Sequence, residues 1–497
     1  MNPAALHFGK IGLSGKFPPN NWAVWPADPS AASRQITKFR EITRIREVAR
    51  NENFGIGIAY EEAPLNQPTR NAASGAPTEG RLSASHLNPN ARSESVVKTS
   101  FWKAGHRPTL FASFFYFDLS FMVWVLLGPL AVQIAADFGL SPAQKGLMVA
   151  VPVLAGALLR IVNGLLVDRI GPKKTGLLGQ IIVILGLGAA WALGVHSYAQ
   201  LLLVGLVLGV AGSAFAVALP LASRWYPPEH QGTALGIAGA GNSGTVFAAL
   251  FAPTLAALYG WNNVLGLAAL PLLVALAVYV VFAKDAPNPP PAKPFSAYFG
   301  PLKDSDAWWF MFFYAVTFGG FSGLASSLTI YFNDQYGLDP IKAGYFTAAC
   351  VFAGSLVRPL GGAFADRVGG IKSLSVMYAA AAIALILVGR GFADSVGALA
   401  LFVAAMLALG MGNGAIFQLV PQRFRDEIGV MTGLVGMAGG VGGFYLASSL
   451  GFSKQATGDY ELGFLIFAGL ALVALIGLTS VKKRWRTTWG AAVQARI

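Results

Sequence analysis

Charge is what this chain lacks. Of its 497 residues only 12% are Asp, Glu, Lys or Arg, about half the roughly 25% of an ordinary soluble domain. A deficit of that size argues against a soluble enzyme and against any disordered or fibrous class. Cysteine is nearly missing too: Cys350 stands alone, so neither a disulfide framework nor a multi-cysteine metal site can be assembled. The apolar segments contain no His pair, no GxSxG and no HExxH, which leaves a membrane-embedded enzyme or sensor without nucleophile or metal cluster. No cofactor or metal is expected. What the chain has is apolar bulk: 55% hydrophobic residues, 59 glycines and 34 phenylalanines, with a mean hydropathy of +0.56. That composition describes an all-α polytopic protein whose main partner is the lipid bilayer. The net charge of +13 does not imply nucleic acid, because in membrane proteins such an excess collects in cytoplasmic loops.

Residues 1–108 stand apart. They are rich in Asn, Pro and Ser and contain neither an apolar run long enough to span nor a secretory h-region. The expectation is a polar, disordered cytoplasmic extension. From Leu110 onward apolar runs succeed one another, each near the ~20 residues that cross the hydrocarbon. Twelve spans are predicted, over 109–136, 145–167, 174–195, 199–224, 232–257, 262–283, 306–333, 340–366, 371–390, 395–423, 428–450 and 460–481. Prolines in KDAPNPPPAKPFSAYFGPLKD forbid a helix between the sixth and seventh. The layout is therefore a six-helix bundle over 109–283, a cytoplasmic linker over 284–305, a second bundle over 306–481 and a cytoplasmic tail over 482–497.

Loop charge sets orientation. One side carries fifteen Lys and Arg, among them Arg169, Lys173, Arg224, Lys284, Arg367 and Arg423; the other carries only Lys145, Lys342, Arg390 and Lys454. The richer side belongs inside, with both termini cytoplasmic in an inner or plasma membrane. The halves also repeat: RIVNGLLVDRIGPKK at 160–174 matches RPLGGAFADRVGGIK at 358–372, and GIAG at 236–239 matches GMAG at 436–439. Parallel repeats of this size mark a two-bundle transporter with its site between the bundles.

Charges within spans are costly and by default functional. Arg160 and Arg358 each sit eight residues before a loop aspartate, Asp168 or Asp366, which is about 12 Å of helix. They reach equivalent depths and can face each other across the pseudo-axis, or each can be tied within its own bundle. Asp118 is the one acid well inside a span. Two facing guanidiniums with so little counter-charge favour a small oxyanion, which each planar fork can grip bidentately. Such cargo would itself be the counterion that lets the bundles close. Glycines crowd the fifth span (ALGIAGAGNSGTVFAALFAP) and the eleventh (GLVGMAGGVGGFYLAS), including Gly241 and Gly439, and serve close packing, sliding or ligand space. Packing leaves Asn242 and Asn413 unexplained, since a buried amide needs partners. Tyr314 and Phe318 share a face at i and i+4, and Phe215 fits either packing or a site.

The loop GLLVDRIGPKK, with its echo GGAFADRVGGIK, resembles the G-x-x-x-D-R-x-G-x-K/R-K/R loop of the major facilitator superfamily over about residues 109–481. The two glycine stretches resemble the nitrate signatures of its nitrate/nitrite porter family. The first span, YFDLSFMVWVLLGPLA, is similar to the assimilatory, uptake branch. This resemblance implies nitrate held between Arg160 and Arg358 and sandwiched by Phe215, Tyr314 and Phe318. The residues alone point to paired arginines and a small oxyanion; they do not separate nitrate from nitrite, a carboxylate or phosphate.

Energetics constrain the mechanism. A lone anion is driven out of a cell by about 2.3 kcal/mol per 100 mV, so uptake needs at least one cation alongside, a proton being favoured by the first-span resemblance, whereas repulsion between empty arginines would allow only exchange of nitrate for nitrite. Asp118 is the candidate proton carrier; it could equally be a salt-bridge partner of either arginine, a structural acceptor, or a group near the interface with access to water. Asp168–Arg169 and Asp366–Arg367 are expected to latch neighbouring helices in the outward-facing state, or simply to neutralise helix ends. A monomeric carrier, not an enzyme, is the resulting expectation.

Overall fold

The computed structural model describes residues 100–287, 294, 296, 299–425 and 427–492. Most of the polar extension expected over 1–108, and much of the linker, therefore lie outside the described residues. Residues 100–108 are described; they hold a short helix, Phe101–Ala104, and the start of the first long one.

Twelve helices are long and apolar enough to span a membrane: α1 Arg107–Phe138, α2 Pro142–Ile170, α3 Pro172–Leu193, α4 Tyr198–Ser223, α5 Thr233–Tyr259, α6 Trp261–Phe282, α7 Ser305–Tyr336, α8 Pro340–Val368, α9 Gly370–Gly389, α10 Ser395–Arg423, α11 Ile428–Thr457 and α12 Glu461–Thr487. Helix is the only regular element among the described residues, as lipid requires of a chain that must satisfy its own backbone. Local chemistry sets the ends. Ser141 and Gln144 form a capping box at the start of α2, and Asp339 and Asp394 cap α8 and α10. The repeated loop has a structural reason in each half: Gly171 (φ +87°) and Gly369 (φ +99°) make the turn that only glycine takes without strain.

The first six helices and the last six form two halves. α1 and α7 lie deepest, 78% and 89% buried, whereas α3 is 28% buried and faces outward. The seam between halves is made by α2 on α11 and α5 on α8. At the end away from the linker the seam is closed. There a methyl group at Gly146 would meet Gly451 Cα at 2.8 Å, one at Gly344 would meet Ala249 O at 2.6 Å, and Lys145 pairs with Asp334 across the halves at 2.9 Å. At the linker end Gly236, Gly239, Gly429 and Gly433 on the same four-helix seam face open space. The ion pairs found there, Arg224–Asp168, Arg423–Asp304, Arg423–Asp306 and Arg484–Asp306, each stay within one half.

Four of the twelve helices are interrupted. α1 breaks at Val125–Leu126 and α4 at Ser213–Ala214. α5 tightens into a 3-10 turn at Ala240–Ser243, and α8 breaks at Val357, just before Arg358–Pro359. Pro359 has no N–H to give the preceding turn and its ring crowds it. Breaks at this depth are tolerated where they line protein interior rather than lipid. They flank Trp124, Phe215, Asn242 and Arg358.

Candidate functional site

Arg160 projects from unbroken α2 and is 1% exposed. Its guanidinium lies 5.2 Å from the ring centroids of both Phe215 and Phe318, and 5.7 Å from that of Trp124. It donates to Gly212 O of its own half at 3.4 Å, and across the seam to Gly436 O of α11. Gly436 leaves room for this approach: a methyl there would lie 3.5 Å from Arg160 Nη1. Ring faces and carbonyls replace part of the hydration that burial removes, each cation–π contact contributing about 0.5–2 kcal/mol.

Arg358 begins the second segment of α8. Its Nη2 donates to Tyr314 Oη at 3.2 Å, and its guanidinium sits 5.4 Å from the Phe417 ring. Its Nη1 is buried without a hydrogen-bond partner. Tyr314 stacks on Phe318 at 5.2 Å and meets Phe417 edge-on at 5.2 Å. The Tyr314 hydroxyl interacts electrostatically with both arginines, and the arginines repel each other. Among the described residues neither arginine is in a salt bridge with a carboxylate.

The structure thus brings Arg160, Arg358, Phe215, Tyr314 and Phe318 together at the seam. Gly439 belongs with them, since a methyl on it would lie 2.6 Å from Tyr314 Cδ1 and 2.9 Å from Phe318 Cδ1. Asn242 and Asn413 are each 2% exposed, and the amide oxygen of each lacks a partner. The backbone carbonyl of Asn242 accepts from Ser355, one turn before Arg358, at 3.5 Å. Gly241 is used differently: it faces Phe117 and the Asp118 amide of α1, not the arginines.

Asp118 is 4% exposed, so water does not reach it freely from the interface. It pairs with neither arginine and instead accepts from Ser243 Oγ at 2.7 Å. Asp168 is bonded by Arg224 at 2.9 Å, joining the ends of α2 and α4 in one half. Arg169, in the last turn of α2, adjoins this tie; Asp366 and Arg367 stand at the corresponding end of α8.

Trp124 and Phe417 escaped the sequence reading. With 12% aromatics, a single ring carries almost no signal. The repeat held a hint for Phe417, because GSAFAVALP of α4 and GAIFQLVP of α10 set a Phe four or five residues before a proline. Chemically, the ensemble is a buried aromatic box whose charges are all positive. It suits a small planar anion whose oxygens meet guanidinium N–H groups and whose face meets ring edges. Among the described residues no group of His, Cys, Asp and Glu could hold a metal ion.

Comparison with known proteins agrees with this architecture. Residues 110–447 match the Major Facilitator Superfamily. The chain is 35% identical to the "Probable nitrate/nitrite transporter NarK2" of Mycobacterium tuberculosis, with 72% of this chain and 91% of that protein covered. It is 32% identical to the "Probable nitrate transporter NarT" of Staphylococcus carnosus, covering 74% and 94%. It is 31% identical to the "Nitrite extrusion protein" of Bacillus subtilis, covering 72% and 89%. With a repeated six-helix half, an arginine from each half at the seam and these relatives, the chain belongs to the major facilitator superfamily and, within it, to the nitrate/nitrite porter family.

Proposed function

We propose that this multi-pass membrane protein is a secondary active carrier of nitrate and nitrite, working by alternating access with Arg160 and Arg358 as the anion-holding forks. One observation carries the reading: Arg358 Nη1, beside Arg160 and Tyr314, is a buried cationic donor with no acceptor. A buried guanidinium N–H without a partner costs several kcal/mol in gross terms, and a bound oxyanion removes that cost. Phe215, Tyr314, Phe318 and Phe417 would flank the anion, and the amides of Asn242 and Asn413 complete the polar lining.

The cytoplasmic side is assigned to the linker end, which carries the Lys/Arg excess. The closed far end then makes this conformation inward-facing, in an inner or plasma membrane. The proposed direction is uptake coupled to protons, with Asp118 the group that takes the proton, in a monomeric carrier. Nitrate/nitrite exchange is the second reading, favoured by the Arg160–Arg358 repulsion that disfavours closure of an empty carrier and by the extrusion named for the Bacillus relative.

The test is labelled nitrate entry into proteoliposomes, with and without internal nitrite. Arg160→Lys and Arg358→Lys should each lower transport by about two orders of magnitude while the protein still inserts, because a point charge does not replace a fork. Full activity in either variant removes that arginine from the site. Accumulation of phosphate or a carboxylate in place of nitrate overturns the substrate assignment.

A further inference from the structure

Between Asp118 and the seam lies the 3-10 turn Ala240–Ser243, whose proton count is informative. The Ser243 hydroxyl has one hydrogen and two acceptors in range, Asp118 Oδ1 at 2.7 Å and Ala240 O at 2.8 Å. With Asp118 ionised, the hydrogen serves the carboxylate and the Ala240 carbonyl loses it. Both contacts become hydrogen bonds only when one more proton sits on the carboxyl: Asp118 O–H then donates to Ser243 Oγ, and Ser243 donates to Ala240 O. The one O–H bond made or broken is that of Asp118; its proton comes from and returns to water admitted when the carrier changes conformation, since in this one the residue is only 4% exposed.

We infer that Ser243 is a positioning residue for proton coupling, and that the Ala240–Ser243 turn relays the protonation of Asp118 to the anion site. This rests on the transport reading above. The turn is firmly seated on α1. A methyl at Gly241 would lie 2.9 Å from the Asp118 amide, and one at Gly244 would overlap the Asp118 carbonyl. A change of bonding at Ser243 is therefore transmitted along the turn rather than absorbed in a gap. The next residue is Asn242, whose amide oxygen has no partner and whose carbonyl meets Ser355 of the opposite half. That is one helical turn from Arg358.

Among the described residues no ion pair reaches Asp118; on α7 and α8, which also pack on α1, Tyr314 and Arg358 bond each other. On α6, Tyr279 packs on Tyr116 with the rings tilted by 40° and donates to Pro172 O. On α4, Arg224 is bound to Asp168, and on α2, Arg160 is bound to carbonyls. On α5 the side chain that meets Asp118 is Ser243 itself.

The experiment uses the full chain in proteoliposomes with two readouts: nitrate accumulation driven by an imposed pH gradient, and nitrate/nitrite exchange at equal pH. Asp118→Asn should keep exchange within about twofold and lose accumulation. Ser243→Ala should keep exchange and lower accumulation, moving the midpoint of its pH profile by about one unit, the scale of one charge-assisted hydrogen bond; Ser243→Thr, which restores the hydroxyl, should return the midpoint. Undiminished accumulation with an unmoved midpoint in Ser243→Ala overturns the inference, as does loss of both readouts in a correctly inserted Asp118→Asn. The parent protein failing in both assays instead overturns the transport reading itself.

Discussion

At the scale of single residues, membrane energetics made the arginines legible and statistics hid the rings. A charge deep in an apolar run is expensive enough to single out from one sequence, and Arg160 and Arg358 stood out for that reason. Trp124 and Phe417 sit against the same guanidiniums, but nothing separates them from packing aromatics until coordinates place them. Glycine lies between these cases: the stretches were visible, yet which glycine does what was not. Gly436 and Gly439 are one turn apart on α11 and differ sharply in space. A methyl at Gly436 would lie 3.4 Å from Phe215 and 3.5 Å from Arg160, ordinary contact, whereas at Gly439 it would lie 2.6 Å from Tyr314 and 2.9 Å from Phe318. Overpacking of this kind costs about 1–3 kcal/mol, here concentrated on two site rings. Gly439→Ala should raise the nitrate KM about tenfold or more, while Gly436→Ala should raise it much less; equal effects of the two in vesicle uptake would reject the steric argument.

At the scale of elements, length and apolarity sufficed for twelve helices, because hydrocarbon thickness is a strict ruler. The interruptions in α1, α4, α5 and α8 were not legible. They replace few hydrogen bonds and leave hydropathy unchanged, and only those before Pro359 and four residues before Pro129 have a local cause in the sequence. These breaks nevertheless carry much of the candidate site. Phe215 and Arg358 sit at such breaks, and the backbone that places Asn242 is wound into a tighter turn. The repeated glycine turn is the opposite case, legible and structurally explained. Gly171 holds φ +87° with the Asp285 carboxylate so near that a methyl would meet Oδ2 at 2.9 Å. Gly171→Ala should cost about 1–3 kcal/mol from the positive-φ extended backbone alone and displace Asp285 from the Lys173 amide it accepts from at 2.9 Å. The melting temperature of the purified protein in detergent should fall, and an unchanged melting curve would count against this account of the repeat.

At the scale of the whole molecule, the halves are held differently at the two ends, and this asymmetry has a kinetic consequence. The far end combines close backbone approach of α2 and α11 with one ion pair across the seam, Lys145–Asp334, whose side chains are 18% and 15% exposed. Tyr460 Oη, at the N-cap of α12, donates to the same carboxylate at 2.8 Å, so Asp334 gathers α2, α7 and the start of α12. A partly screened pair of this kind contributes about 1 kcal/mol to the state in which it forms, roughly fivefold in the balance between inward- and outward-facing forms. Asp334→Asn and Lys145→Gln release it without touching the anion box. Because external nitrate binds only the outward-facing form, raising that population lowers the apparent external KM by the same factor. Both variants should therefore bind external nitrate more tightly in right-side-out vesicles, by up to about fivefold. Their exchange rate at saturating nitrate should fall if return to the inward-facing form limits turnover. A raised KM in both variants would mean that the pair supports folding of the far end rather than its closure.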